Sequence, residues 1–208
     1  MQLGSSVRRL LTTGAAATLL FTGAGTASAG PAVPQAAAVA AADVRSGPYS
    51  GVHIIADLSA RRVATADLVA AAKYGTDSPI DDPAREKQVL DSVARQARDL
   101  GADPEATVRI FRDQIEASKL VQRALFRSWD AAPSRAPTER PDLAEVRKEI
   151  NRINAALVQG IADSASARPA PYCDGLLIAS AAHLRHERQL DALHTVALAR
   201  SLRSVCGD

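Results

Sequence analysis

The chain has 208 residues, a length that fits one domain with tails. Its 25 lysines and arginines outnumber 23 acidic residues only through Arg8 and Arg9, which lie in a segment expected to be removed. The remaining chain is formally neutral, which excludes a general nucleic-acid or anionic-membrane binder and leaves anion recognition to a few placed side chains.

Residues 1–29 read as a secretory signal peptide. Arg8 and Arg9 form its basic end, Leu10 to Phe21 its apolar stretch, and Ala27-Ser28-Ala29 a small-residue cleavage pattern. The apolar stretch is too short to be a resident membrane span. Export is therefore expected, to a secreted or periplasm-like space, with no membrane contact after cleavage. Residues 30–48, rich in alanine and proline and without amphipathic period, read as a flexible lead-in. Residues 49–208 read as one helical domain.

Runs of β-branched residues with period two are absent and aromatics make up 3% of the chain, so aliphatic helix faces must supply the core. The fold class is all-α, with five to six helices. The first spans about Ser50 to Tyr74, with Ile54, Ile55, Leu58 and Val69 among its apolar residues, and gives way to a loop at 75–81. The second opens with Asp82 as N-cap and Pro83 at the first helical position, and stops at Gly101. The third opens the same way at Asp103-Pro104 and continues to about Trp129; a proline-rich linker follows at 131–141. The fourth runs from Asp142 to about Ser164.

Cys173 and Cys206 are the two cysteines of a chain expected in an oxidising space, and they are expected to pair. As one straight helix their segment would span roughly 50 Å at about 1.5 Å per residue. A disulfide tolerates at most about 7 Å between Cα atoms. Either the segment folds back as a helical hairpin or each cysteine bridges to another chain. The hairpin is preferred, with its bend within 185–191.

Four weak signals stand out along these helices. On the third, Val108, Phe111, Ile115, Ser118, Gln122, Leu125 and Trp129 alternate spacings of three and four, a core-facing stripe. Its middle is polar, and a buried amide atom left without a partner costs about 1–3 kcal/mol. Alone, Ser118 and Gln122 read as a polar crosslink between helices. Arg62 and Lys73 are eleven residues, about three turns, apart on the first helix and point the same way, with Arg61 beside Arg62 facing solvent. Arg147 lies at the edge of the fourth helix's apolar face, a place that also suits a snorkelling arginine. Arg85 and Glu86 follow Asp82 in a first turn, where the helix dipole favours Glu86.

Jointly, the order and spacing of Arg62, Lys73, Asp82, Arg85, Glu86, Ser118, Gln122 and Arg147 resemble the active-site set of the all-helical chorismate mutases. The signal peptide, the helical tail and the Cys173/Cys206 pair resemble the secreted (gamma) branch of that family. So does the segment from Asp103-Pro104 through Phe111-Arg112-Asp113-Gln114-Ile115 to Phe126 and Trp129. The likeness runs from about Val52 to Cys206. It implies rearrangement of chorismate to prephenate without metal, cofactor or covalent intermediate, by a homodimer to which the long first helix contributes.

The resemblance also implies a role for each residue. Arg62 and Arg147 would bind the two substrate carboxylates, which a planar guanidinium can grip with two hydrogen bonds. Lys73 and Gln122 would donate to the ether oxygen. Ser118 would support a carboxylate, and Glu86 would accept from the ring hydroxyl, helped by Arg85 and the backbone near Asp82. Arg147 would complete the pocket from the same chain. A one-step pericyclic reaction needs no nucleophile or general base. It needs a compact near-attack conformer and fixed donors where charge grows on the ether oxygen, each worth about 2.7–4 kcal/mol. Lys73 is assigned the largest share. Some family members carry glutamate at the position of Gln122; an amide donates at any pH, so activity is expected to decline little toward neutral pH. Val89 stands where some secreted relatives carry a polar residue.

His183, His186 and Glu187 match no metal signature, so no metal is expected and they read as surface residues of the hairpin. His53 and His194 have no partner identifiable from sequence. No glycine-rich phosphate loop and no nucleophile motif is present. A second reading on the same fold, a non-catalytic exported scaffold or small-anion binder, is disfavoured because no member of the set is lost.

Overall fold

A computed structural model describes residues 47–207; the expected signal peptide and nearly all of the lead-in lie outside them. Among these residues six α-helices follow one another: α1 (Pro48–Lys73), α2 (Pro83–Asp99), α3 (Pro104–Ala131), α4 (Leu143–Asp163), α5 (Cys173–Glu187) and α6 (Ala192–Ser201). A single 3-10 turn at Pro133–Arg135 lies between α3 and α4, and no strand occurs among the described residues.

The starts of α2, α3, α4 and α6 are set by local chemistry. Asp82 accepts from the Arg85 amide at 3.0 Å and Asp103 from those of Glu105 and Ala106 at 2.8 and 3.2 Å. Asp142 accepts from Ala144 at 2.7 Å and Asp191 from His194 at 2.8 Å. Each satisfies helix N–H groups that would otherwise lack partners, an effect of about 1 kcal/mol per cap. Gly101 ends α2 at φ +70°, a left-handed turn that glycine adopts without Cβ strain. α1 opens at Pro48, ahead of the expected Ser50, with no side-chain cap.

α1 runs through the middle, packed by α3, α4, α5 and α6. Its first half buries Val52, Ile55 and Ala56 against Ile110, Phe111, Leu157, Val158 and Leu184. Its second half meets α3 through Val63, Ala66, Ala117 and Val121. α4 approaches closely at Gly160, where a Cβ would stand 3.3 Å from Ile54. The expected stripe on α3 proves to be one flank of a wider buried surface, because α1, α2 and α6 all pack against this helix.

Cys173 and Cys206 form a disulfide within the chain, their Cα atoms 5.7 Å apart. The chain turns between Glu187 and Ala192, with Gln189 at φ 50°. The two arms barely touch. α5 lies on α1 and α6 on α3, so the hairpin clasps the bundle instead of packing on itself.

Candidate active site

The second half of α1 supplies Arg62 and Lys73, and the loop after it Ile80 and Asp82. α2 contributes Arg85, Glu86 and Val89, α3 Ile115, Ser118, Lys119 and Gln122, and α4 Leu143, Arg147 and Ile150. Together they line one cavity with about 620 Å³ of free space, counting its open mouth. All eight residues singled out in the sequence meet there. Arg62, Lys73, Arg85, Lys119 and Arg147 face Asp82 and Glu86, an excess of cation inside a balanced chain.

Arg62 is 6% exposed. Its Nε donates to Asn154 Oδ1 at 2.9 Å and its Nη1 to the Gln114 carbonyl at 2.7 Å. Both partners are neutral, and burial lowers its pKa to about 10. The guanidinium is thus held at two of its nitrogens, with further N–H groups free for a ligand. Lys73 is also buried and donates to the Pro79 carbonyl at 2.7 Å. Burial pushes its pKa down and nearby Arg147 adds to this, while Asp82, Asp81 and Glu86 pull the other way. Arg147 is half-buried and has no ion-pair partner among the described residues. Three desolvated or crowded cations without their own carboxylates form a site that an anionic ligand would relieve.

Gln122 donates from Nε2 to Ser118 Oγ at 3.1 Å and to the Ser118 carbonyl at 3.3 Å, while its Oε1 is buried without a partner. A half-turn of the amide would let Ser118 donate to Oε1 and set an N–H at the orphaned position. Arg85 reaches Gln88 Oε1 and Asn151 Oδ1, each at 3.3 Å. Glu86 accepts from Lys119 at 3.1 Å. Val89 adds an apolar wall. The lining includes no cysteine or histidine, and the one hydroxyl, Ser118, is bonded to an amide and not to a base. Such an arrangement can grip an anion and stabilise charge growing on an oxygen.

Two residues escaped the sequence reading. Lys119 follows Ile115 by four and precedes Gln122 by three, the same spacing that marked the stripe, so a signal was present. Asn154 holds Arg62 across 92 positions of sequence, a contact with no local signature. Among the other histidines, His183 and Glu187 are exposed, 3.4 Å apart. His53 stacks on Tyr49 with ring centres 5.5 Å apart. His194 sits between Asp67 at 3.1 Å and Asp191 at 2.8 Å, away from the cavity.

Residues 53–123 match the family model for chorismate mutase type II. The secreted chorismate mutase of Mycobacterium tuberculosis is 34% identical over 152 residues, 73% of this chain and 76% of the relative. That of Mycolicibacterium smegmatis is also 34% identical, over 84% of its own length. Among solved structures, the chorismate mutase of Burkholderia thailandensis superposes with a TM-score of 0.72 at 34% identity, covering 76% of this chain and 99% of that one. Likeness of this extent, on a chain whose helices gather these cations around one cavity, makes it a member of the chorismate mutase type II family.

Proposed function

We propose that this chain is an exported enzyme that rearranges chorismate to prephenate, a step of aromatic amino-acid biosynthesis. The observation that carries this reading is the convergence of Arg62, Lys73 and Arg147 on one cavity with no carboxylate among the described residues paired to any of them. Chorismate brings two carboxylates and an ether oxygen on which charge grows as its bond to carbon stretches. Arg62 and Arg147 hold the carboxylates and Ser118 supports one of them. Lys73, with one N–H committed to Pro79, and the turned amide of Gln122 donate to the ether oxygen. Glu86 accepts from the ring hydroxyl, beside Arg85 and the helix start at Asp82. No proton changes hands; catalysis consists of folding the substrate into a near-attack shape and stabilising its transition-state charge.

Export by the signal peptide of residues 1–29, cleavage after Ala29 and assembly as a homodimer belong to the same reading; two curated relatives are named as secreted. α1 is covered by four helices, so its share in a dimer would rest on half-exposed Ile54 and Leu68.

Chorismate loss by the purified chain without residues 1–29, followed by ultraviolet absorbance, tests the proposal. Wild type is expected to form prephenate, and Lys73→Ala and Arg147→Ala to fold but lose about 10²- to 10³-fold in kcat/KM. A folded wild-type chain that leaves chorismate untouched would transfer the site to the non-catalytic anion-binding reading.

A further inference from the structure

Lys119 lines the cavity yet cannot serve as another substrate-binding cation. Lys119 Nζ donates to Glu86 at 3.1 Å and forms ion pairs with Glu116 at 2.6 Å and Asp81 at 3.1 Å, so three carboxylates already surround its ammonium. Those partners belong to α3, to the loop before α2, and to α2, so one atom joins three segments around the cavity. Its side chain is 11% exposed, which leaves these bonds less screened than ordinary surface pairs. Burial works against its charge, but its interactions with the Glu116, Glu86 and Asp81 carboxylates outweigh burial and raise its pKa.

Two lines lead from Lys119 into the chemistry. Glu86 gives Oε1 to Lys119 and has no other hydrogen bond from a side chain among the described residues, so Oε2 is the oxygen open to a ligand. Asp81 is gripped by Lys119 and also by Arg123 at 2.6 and 2.8 Å. Two residues earlier on the same loop, the Pro79 carbonyl holds Lys73 Nζ. α3 therefore fixes the loop that aims the lysine.

We propose that Lys119 is a positioning residue that sets Glu86 to accept from the substrate's ring hydroxyl and pins, through Asp81, the loop that orients Lys73. The inference rests on the chorismate reading and extends it to a residue that touches no substrate.

The test compares Lys119→Met, Lys119→Arg, Glu86→Gln and the double variant Lys119→Met/Glu86→Gln in the full mature chain, with circular dichroism to confirm folding. Lys119→Met is expected to lower kcat/KM about ten- to hundredfold, mostly in kcat, because a misaimed Lys73 loses an interaction made in the transition state. Lys119→Arg restores a cation and should recover much of the loss. In the double variant the two losses should overlap, giving less than their product. A folded Lys119→Met within about threefold of wild type overturns the proposal, as do losses that multiply in full. Asp81→Asn, on an exposed loop, keeps the test open should methionine at the buried position disturb folding. It must lower kcat with little change in KM, and an unchanged kcat overturns the proposal. Wild type inactive on chorismate removes the chorismate reading and this inference together; active wild type with an indifferent Lys119→Met removes the inference alone.

Discussion

The Lys73 ammonium must be charged to act on an ether oxygen, and burial and Arg147 both disfavour that charge. Its pKa is lowered, so activity should fall as pH rises through a value below lysine's ordinary 10.5. A bound dianion adds negative charge and raises the pKa again. The alkaline limb of kcat/KM, which reports free enzyme, should therefore lie at lower pH than that of kcat. Coincident limbs would show that substrate charge does not reach Lys73. In the proposed reaction Gln122 sets the acid side. Its amide needs no proton, so wild type should keep its rate toward neutral pH. Gln122→Glu can donate only when protonated, and the surrounding cations favour its ionised form. Its kcat/KM should fall about tenfold per pH unit above the carboxyl pKa, whereas a flat profile in that variant would remove Gln122 from the ether oxygen.

Helix ends were the most legible elements because their causes are local. Asp-Pro at 82–83 and 103–104 places a cap and a preset φ within two residues, and the structure starts α2 and α3 there. Which helix lies on which depends on contacts made across the chain. The width of the buried face of α3 and Asn154 beside Arg62 follow from such packing and leave no local mark, and Lys119, although it keeps the stripe's spacing, is placed on that face by the same packing. The same holds for His194, which links the start of α6 to Asp67 on α1 while also meeting Asp191. Its hydrogen bond to Asp67 contributes most, burial opposes, Asp191 assists, and its pKa rises to about 9 from 6.5. A folded-state pKa above the unfolded one means that protonation favours the fold. The clasp is at full strength below about pH 6.5 and is lost as pH climbs through about 9. Urea unfolding of wild type and His194→Gln should differ at pH 6 and converge above pH 9; a gap of equal size at both would assign the effect to packing.

For the whole molecule, the sequence signals with a joint geometry transferred best. Eight residues spread from position 62 to position 147 meet at one cavity because α1 carries two of them on one face, α3 and α4 pack on α1, and α2 packs on α3 and α4. The sequence leaves the tail's path open between a hairpin and a bridge to another chain, and the Cys173–Cys206 bond within the chain, with Cα atoms 5.7 Å apart, selects the hairpin. This bond lies with the first half of α1, since Cys173 packs in the cluster that holds Val52 and Ile55, whereas the site uses the second half. Stability and chemistry should therefore separate. Closing a loop with a sequence separation of 33 restricts the unfolded chain by about 3–4 kcal/mol. Cys173→Ser/Cys206→Ser should lower the unfolding free energy by about that amount, yet leave kcat and KM near wild type at temperatures where it stays folded. The clasp of α5 and α6 over α1 and α3 explains why: noncovalent packing on the bundle holds each arm, and the bond limits only how far the arms can separate once they leave it. A variant that kept its stability but lost turnover would instead mean that tension in the tail is transmitted along α1 to Arg62 and Lys73.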